Sequence, residues 1–244
     1  MPENFGWESI DLASAPALLP GEVHIYATLL APDERWQAEA ERTLQSSERE
    51  RAARFRFEED RYRFQKTRCL LRHLLAHYLE TTPTEIKFHE GVHGKPYLKE
   101  SGSALQFNVS HTRGAAVLAF TDQIEVGIDI EHSRRRVDVD GIGRKVFTTK
   151  EQASLRDLGS ASALRQFFRL WTAKEAYLKA TGSGMSCNPA SIEADFENRR
   201  YTSVESPGLP LPYILEEIES SNQFQVSLAH QAGAARTIRK IECR

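Results

Sequence analysis

The chain has 244 residues, 40% hydrophobic and 27% charged, which is the composition of an ordinary globular protein with length for one large domain or two small ones. A formal charge of −2 gives no global attraction to nucleic acid. No basic cluster precedes an apolar run near the start, no run approaches the ~20 residues of a membrane span, and Cys69, Cys187 and Cys243 form no C-x-x-C pair. A cytoplasmic, reduced protein without a membrane segment, disulfide framework or cysteine zinc site is expected.

The first expected element is a strand over Val23 to Leu30. Ser47 and Glu50 have capping-box spacing and would open a charged helix from Glu48 to about Phe57. A longer helix follows over Tyr62 to Leu79, with Leu70, Leu71, Leu74, Leu75 and Tyr78 as its apolar stripe. Thr82, Pro83 and Glu85 mark a turn of helix, and Gly94-Lys95-Pro96 marks a turn in which proline fixes φ and glycine permits close backbone approach. Strand patterns come next, near Leu105 to Val109, Ala115 to Phe120 and Glu125 to Glu131. A Thr148/Glu151 capping box leads toward a helix over Leu164 to Ala180 that stops at Gly182. Strands return near Ser191 to Phe196, Tyr213 to Ile218 and Phe224 to Ala229. Strand, helices and strands occur twice, so the fold class read from the chain is α+β with two similar halves, 1–121 and 122–244.

Two stretches carry the chemistry. In Val126-Gly127-Ile128-Asp129-Ile130-Glu131 apolar residues alternate with the others, so Asp129 and Glu131 share one face of a strand, Cβ atoms roughly 6–7 Å apart. In the late helix Leu164, Phe168, Trp171, Glu175 and Leu178 recur at helical spacing and set Glu175 among apolar neighbours. A buried carboxylate is costly unless paired or bound to a metal. Three such carboxylates suit Mg²⁺, which takes oxygen ligands and keeps positions open for phosphate. The plainer alternative is a solvated edge strand and a surface Glu175–Lys179 pair contributing ~0.2–0.5 kcal/mol. Between Ser46 and His73 nine Arg and Lys stand against five acids, a cationic excess in an acidic chain. Most of these are expected to be salt-bridged surface residues.

Gly94-Lys95-Pro96, Phe107-Asn108-Val109-Ser110-His111, Gly127-Ile128-Asp129-Ile130-Glu131 and Trp171-Thr172-Ala173-Lys174-Glu175-Ala176-Tyr177-Leu178-Lys179, in that order, resemble the Sfp-type 4′-phosphopantetheinyl transferases. The Trp with Lys-Glu-Ala resembles the branch typified by Sfp itself. The resemblance covers about residues 23 to 230 and implies a pseudo-twofold monomer with coenzyme A and Mg²⁺ between its halves. Such enzymes move the phosphopantetheine arm of coenzyme A to a serine of an apo carrier protein and release adenosine 3′,5′-bisphosphate. By the same resemblance Asp129, Glu131 and Glu175 hold the metal, and Glu175 is also a candidate for taking the serine proton. Lys179, Ser110 and His111 face the phosphates, Arg51 and Arg63 bind the 3′-phosphate, and Gly94, Lys95 and Pro96 lie beside adenine. Glu48 replaces a family lysine, which removes one phosphate contact. Lys174 points elsewhere and fits a structural salt bridge as well as a functional role.

The resemblance also implies that the carrier protein presents an acidic helix beside the modified serine. The stretch Ser133-Arg134-Arg135-Arg136-Val137 to Gly143-Arg144-Lys145-Val146-Phe147 is basic and tethered to Glu131, so docking is expected there. Two other readings use the same residues. A Mg²⁺-dependent phosphohydrolase or nucleotidyltransferase would need the same carboxylates and cations, although no P-loop spacing is present. A non-enzymatic coenzyme A or carrier-docking module would have no need of Glu175.

Overall fold

A computed structural model describes residues 4–90, 96–98, 104–156, 158–205, 210–233 and 237–243. The first half of the chain forms β1 (Glu8–Ile10), β2 (Glu22–Leu29), α1 (Glu34–Thr43), α2 (Ser46–Ala53), α3 (Glu58–Tyr78), β3 (Phe88–Glu90), β4 (Pro96–Leu98), β5 (Leu105–Thr112) and β6 (Ala115–Asp122). The second forms β7 (Val126–His132), α4 (Val139–Val146), α5 (Thr149–Arg156), α6 (Ser160–Thr181), β8 (Ile192–Asp195), β9 (Arg200–Ser203), β10 (Pro210–Ile218), β11 (Phe224–Gln231) and β12 (Thr237–Cys243). None of the described helices is long and apolar enough to cross a membrane.

Two five-stranded sheets result, in the orders β1-β12-β2-β6-β5 and β7-β11-β10-β9-β8. Within them β2-β6-β5 and β7-β11-β10 repeat one connection. An opening strand pairs antiparallel with the last strand of a later hairpin, after three intervening helices. The α+β class and its two similar halves are thus present in the strand order. The C-terminal strand falls outside a boundary at 121/122. β12 inserts parallel between β1 and β2, so residues from the end of the chain complete the first sheet. Its alternating exposed and half-buried residues, Thr237 to Lys240, hide it from a hydrophobicity reading.

Strand alternation sorts the core into layers. On β2, Tyr26 joins Leu70, Leu71 and Leu74 of α3 on one face. Val23, Ile25 and Ala27 face the other way and meet Ile128 and Ile130 of β7 with Val226 and Leu228 of β11. Ala173, Ala176 and Tyr177 of α6 cover the outer face of the second sheet with Tyr201, Leu215 and Ala229. The order is helix, sheet, sheet, helix, which buries both faces of the central strands.

Local signals explain several of the helix ends. Asp33 caps α1 by accepting the Arg35 N–H at 2.9 Å. Thr148 and Glu151 form the expected capping box, Thr148 N–H to Glu151 Oε2 at 2.9 Å and Glu151 N–H to Thr148 Oγ1 at 3.2 Å. Gly182 ends α6 in the left-handed region at φ +66. The other expected box moves by two residues. Helix α2 starts at Ser46, and Glu48, not Glu50, accepts the N–H at its start, that of Gln45, at 3.0 Å.

Candidate active site

The site forms where β7 lies against α6. Gly127, Asp129 and Glu131 share the face of β7 that meets this helix, and Gly127 is what permits the approach. A Cβ there would stand 2.1 Å from the Ala176 carbonyl oxygen and 2.3 Å from the Ala180 nitrogen. With the backbones this close, Lys179 reaches Asp129. Its Nζ donates to Asp129 Oδ1 at 2.7 Å, Ser110 Oγ at 2.9 Å and the Ile128 carbonyl at 3.2 Å.

Strand β5 supplies the opposite wall. Phe107 and Val109 face one way, while Asn108, Ser110 and Thr112 face β7. Ser110 Oγ donates to Asp129 Oδ1 at 2.8 Å, and Thr112 Oγ1 donates to Glu131 Oε2 at 3.1 Å. Arg135 pairs with the other oxygen of Glu131 at 3.2 Å.

Two cavities meet at this cluster. One, of about 340 Å³, is lined by Arg51, Phe64, Arg68, Pro96, Ser110, His111, Asp129, Glu131 and Lys179 among others. The second, of about 610 Å³, is mostly apolar, with Phe107, Val109, Trp171, Leu178, Cys187 and Pro189, and it holds Glu175 and Lys179. Pro96, Val109 and Lys179 line both. A cationic chamber therefore meets an apolar one, with Asp129 and Glu131 in the first, Glu175 in the second and Lys179 between them. Volumes of this size suit a small organic ligand.

The electrostatics favour a cation between the carboxylates. Burial pushes the Glu175 and Glu131 carboxyls above the ordinary range, and in both the charge of Asp129 adds to the rise. Asp129 Oδ2 is buried and has no hydrogen-bond partner. An orphaned oxygen beside two carboxylates of raised pKa is a donor set that fits a hard divalent ion. Among the described residues no three His, Cys, Asp or Glu side chains are already gathered tightly enough to hold one. The Lys179 ammonium occupies the Asp129 side of the junction instead.

The expected residues sort unevenly. Asp129, Glu131, Glu175, Lys179, Ser110, His111, Arg51 and Pro96 all line one or both cavities. Arg63 stands just outside, paired with Asp60 at 2.7 Å, but near enough that its charge, after burial itself, lowers the pKa of His111. Gly94 and Lys95 lie outside the described residues. Glu48 is a framework residue. It pairs with the buried Arg72 at 2.8 Å and with Arg68 at 3.5 Å. Lys174 is also structural, buried and paired with Glu151 at 2.7 Å while donating to the Pro189 and Ile192 carbonyls.

The helical stripe needs a correction. Phe168 and Leu178 are buried as expected and Leu164 packs against the Phe147 and Phe168 cluster, but Trp171 and Glu175 are only half-buried because they wall the larger cavity. Arg68, one of the nine cations between Ser46 and His73, and Thr112 carry no motif that singles them out. Arg68 sits over the rings of Phe64 and Phe88, at 5.6 and 4.7 Å from their centroids. Its place with Phe64, Thr67 and Leu71 on one helical face was the available signal.

Two family profiles divide the chain. That of the 4′-phosphopantetheinyl transferase superfamily matches residues 125–234, and one for the N-terminal part of a 4′-phosphopantetheinyl transferase matches 31–123. The 4′-phosphopantetheinyl transferase HetI of Nostoc sp. is 39% identical over 171 residues, 69% of this chain and 72% of that protein. The 4′-phosphopantetheinyl transferase psf-1 of Bacillus pumilus is 32% identical over 219 residues, 86% of this chain and 91% of that protein. Sfp of Bacillus subtilis is 27% identical over 189 residues, 77% and 83% of the two chains. Both matched halves contribute walls to the double cavity, and with relatives aligned across most of their length the chain belongs to the 4′-phosphopantetheinyl transferase superfamily.

Proposed function

We propose that this enzyme transfers the 4′-phosphopantetheine arm of coenzyme A to a serine of an apo carrier protein, with Mg²⁺, releasing adenosine 3′,5′-bisphosphate. One observation carries the reading: a cationic cavity and an apolar cavity joined at Lys179, with Asp129 and Glu131 lining the first and Glu175 the second. That division matches a ligand with a charged nucleotide end and a long, weakly polar arm, its pyrophosphate at the join. The Trp171 and Lys174-Glu175-Ala176 pattern further suggests the branch with Trp and Lys-Glu-Ala. We also take the enzyme to be a monomer and, in keeping with its three free thiols, cytoplasmic.

Phosphoryl transfer depends mostly on positioning and charge stabilisation. In this reading Arg51, Arg63 and His111 hold the 3′-phosphate, and Pro96 with its neighbours Gly94 and Lys95 bounds the adenine. Lys179 turns from Asp129 toward the pyrophosphate. Asp129, Glu131 and Glu175 hold Mg²⁺, which when bound polarises the attacked phosphoryl group and offsets charge on the leaving bisphosphate. Glu175 has two candidate duties, metal ligand and acceptor of the serine proton. The apolar wall of Phe107, Trp171 and Leu178 receives the arm and excludes water from the junction.

The 3′-phosphate assignment gives a direct expectation. Arg51→Ala, Arg63→Ala and His111→Ala will each weaken coenzyme A by roughly tenfold to a hundredfold, since charge-assisted bonds contribute ~1.5–3 kcal/mol. The 3′-dephospho analogue will lose far less. Calorimetric titration of both ligands decides it, and equal losses would remove these residues from that phosphate.

Docking of the carrier is proposed on Ser133 to Phe147, where Arg134, Arg136, Arg144 and Lys145 are exposed and Val146 reaches the lip of the larger cavity. Arg135 is left out of the docking set because it already pairs with Glu131. The deciding experiment is to incubate enzyme, coenzyme A, Mg²⁺ and an apo carrier, then weigh the carrier. A covalent phosphopantetheine adduct is expected; free phosphate without adduct would select a hydrolase, and neither product a binding module. In the same assay Arg134→Ala with Arg136→Ala should raise the carrier KM at low salt and flatten its salt dependence, because rim charges act on encounter and are screened within ~10 Å at 0.1 M. An unchanged KM at low ionic strength would move the docking surface elsewhere.

A further inference from the structure

The two sheets meet edge to edge at β5 and β7, and the join is made by side chains. On its other side β7 pairs with β11. On this side Asn108 Oδ1 accepts the Ile128 N–H at 2.9 Å, Ser110 Oγ the Ile130 N–H at 3.4 Å, and Thr112 Oγ1 the His132 N–H at 3.3 Å. Three alternate residues of one strand thus serve three alternate amides of the next, in register.

Hydrogen-bond logic then fixes two protons. A backbone N–H can only donate, so the hydroxyl facing it accepts and has its own proton left to give. For Ser110 that proton goes to Asp129 Oδ1, 2.8 Å away, and for Thr112 to Glu131 Oε2, 3.1 Å away. Each hydroxyl is therefore clamped between a strand amide and the carboxylate one residue before it. Ser110 also touches Lys179 and lines the smaller cavity, so changing it alters several contacts at once. Thr112 lines none of the cavities described and is buried, at 8% exposure.

We propose that Thr112 is a positioning residue that orients Glu131 as a ligand for the divalent cation, as Ser110 orients Asp129. The inference rests on the metal reading above. Burial holds Thr112 in one place, whereas Arg135, on the other oxygen of Glu131, is 48% exposed along its side chain and is steadied by a 5.8 Å contact of its guanidinium with the Phe168 ring. The hydroxyl is thus the more fixed member of the pair that holds Glu131. Partners of ligating carboxylates typically account for tenfold to a hundredfold of metal affinity.

The test is binding of Mn²⁺ to the full-length protein saturated with coenzyme A and without carrier, so that nothing turns over. Thr112→Val keeps the shape and removes the hydroxyl; Thr112→Ser restores it. Mn²⁺ affinity is expected to fall roughly tenfold to a hundredfold in Thr112→Val and to return to within about threefold of wild type in Thr112→Ser. Coenzyme A affinity without metal should stay within about twofold in both. Thermal stability will drop in Thr112→Val whatever the role, because the His132 amide loses its acceptor, so melting alone does not decide. If that variant fails to fold, as judged by lost coenzyme A binding, Thr112→Ala is read in its place. Wild type that binds Mn²⁺ alongside a Thr112→Val variant that binds it equally well overturns the Thr112 assignment alone. Wild type that binds no Mn²⁺ overturns the metal reading and this inference with it.

Discussion

Replacing Gly127 with alanine is expected to lower the unfolding temperature by roughly 6–12 °C and to remove most activity. The added Cβ would fall 2.1 Å from the Ala176 carbonyl oxygen, 2.3 Å from the Ala180 nitrogen and 2.9 Å from the Lys179 carbonyl carbon. All three are main-chain atoms of α6, which cannot swing aside as a side chain would. The helix must move away from β7 or the strand must buckle, and overpacking of this kind costs on the order of 3 kcal/mol or more. For a chain of this length each kcal/mol corresponds to about 2–4 °C. Activity falls for a further reason: the same movement takes Lys179 and Glu175 out of reach of Asp129. A calorimetric melt with a turnover assay checks both effects. A variant melting within about 2 °C of wild type would mean that strand and helix lie further apart than described.

The second large effect concerns the carboxylates. Asp129→Ala is expected to reduce turnover by on the order of 10²-fold or more, the usual consequence of losing a preorganised electrostatic element. Metal binding should weaken in parallel. Folding should survive. The Lys179 side chain is 27% exposed and can turn its ammonium toward water once Asp129 is gone, which avoids a stranded buried charge. Glu175→Gln separates the two duties proposed for that residue. Lost turnover with intact Mn²⁺ binding would identify it as the base, and loss of both as a ligand. Normal turnover at saturating Mg²⁺ in either variant would falsify the triad.

Much of the site was legible because its signals are local. Alternation along Val126 to Glu131 sets Asp129 and Glu131 on one face whatever the rest of the chain does. Helical spacing likewise brings Glu175 and Lys179 together one turn apart. What could not be read depends on partners distant in sequence. The Ser47/Glu50 frame fits the capping pattern, whereas the overlapping Gln45/Glu48 frame has no favoured cap residue. Arg72, on the next helix, selects the earlier one by drawing Glu48 into the interior. The face of α6 bearing Trp171 and Glu175 has the spacing of a core stripe, and the positions of β5, Val146 and the segment after Gly182 turn it into a cavity wall. Helix α1 was missed because seven of its ten residues are charged or polar and only Trp36, Ala40 and Thr43 are buried. Thr112 carries no pattern, since its importance lies in a strand amide 20 residues on.

The insertion of β12 between β1 and β2 has a consequence for biosynthesis. A ribosome that has released the whole first half, through β6, has still to make more than a hundred residues before the strand that fills the gap in that sheet emerges. Until then one edge of β2 stays unpaired and β1 has no neighbour, and open strand edges of this kind invite association with other chains. The first half therefore cannot close ahead of the second, although each has its own sheet and long helix. Long-range pairing of this sort slows folding and joins the halves into one cooperative unit.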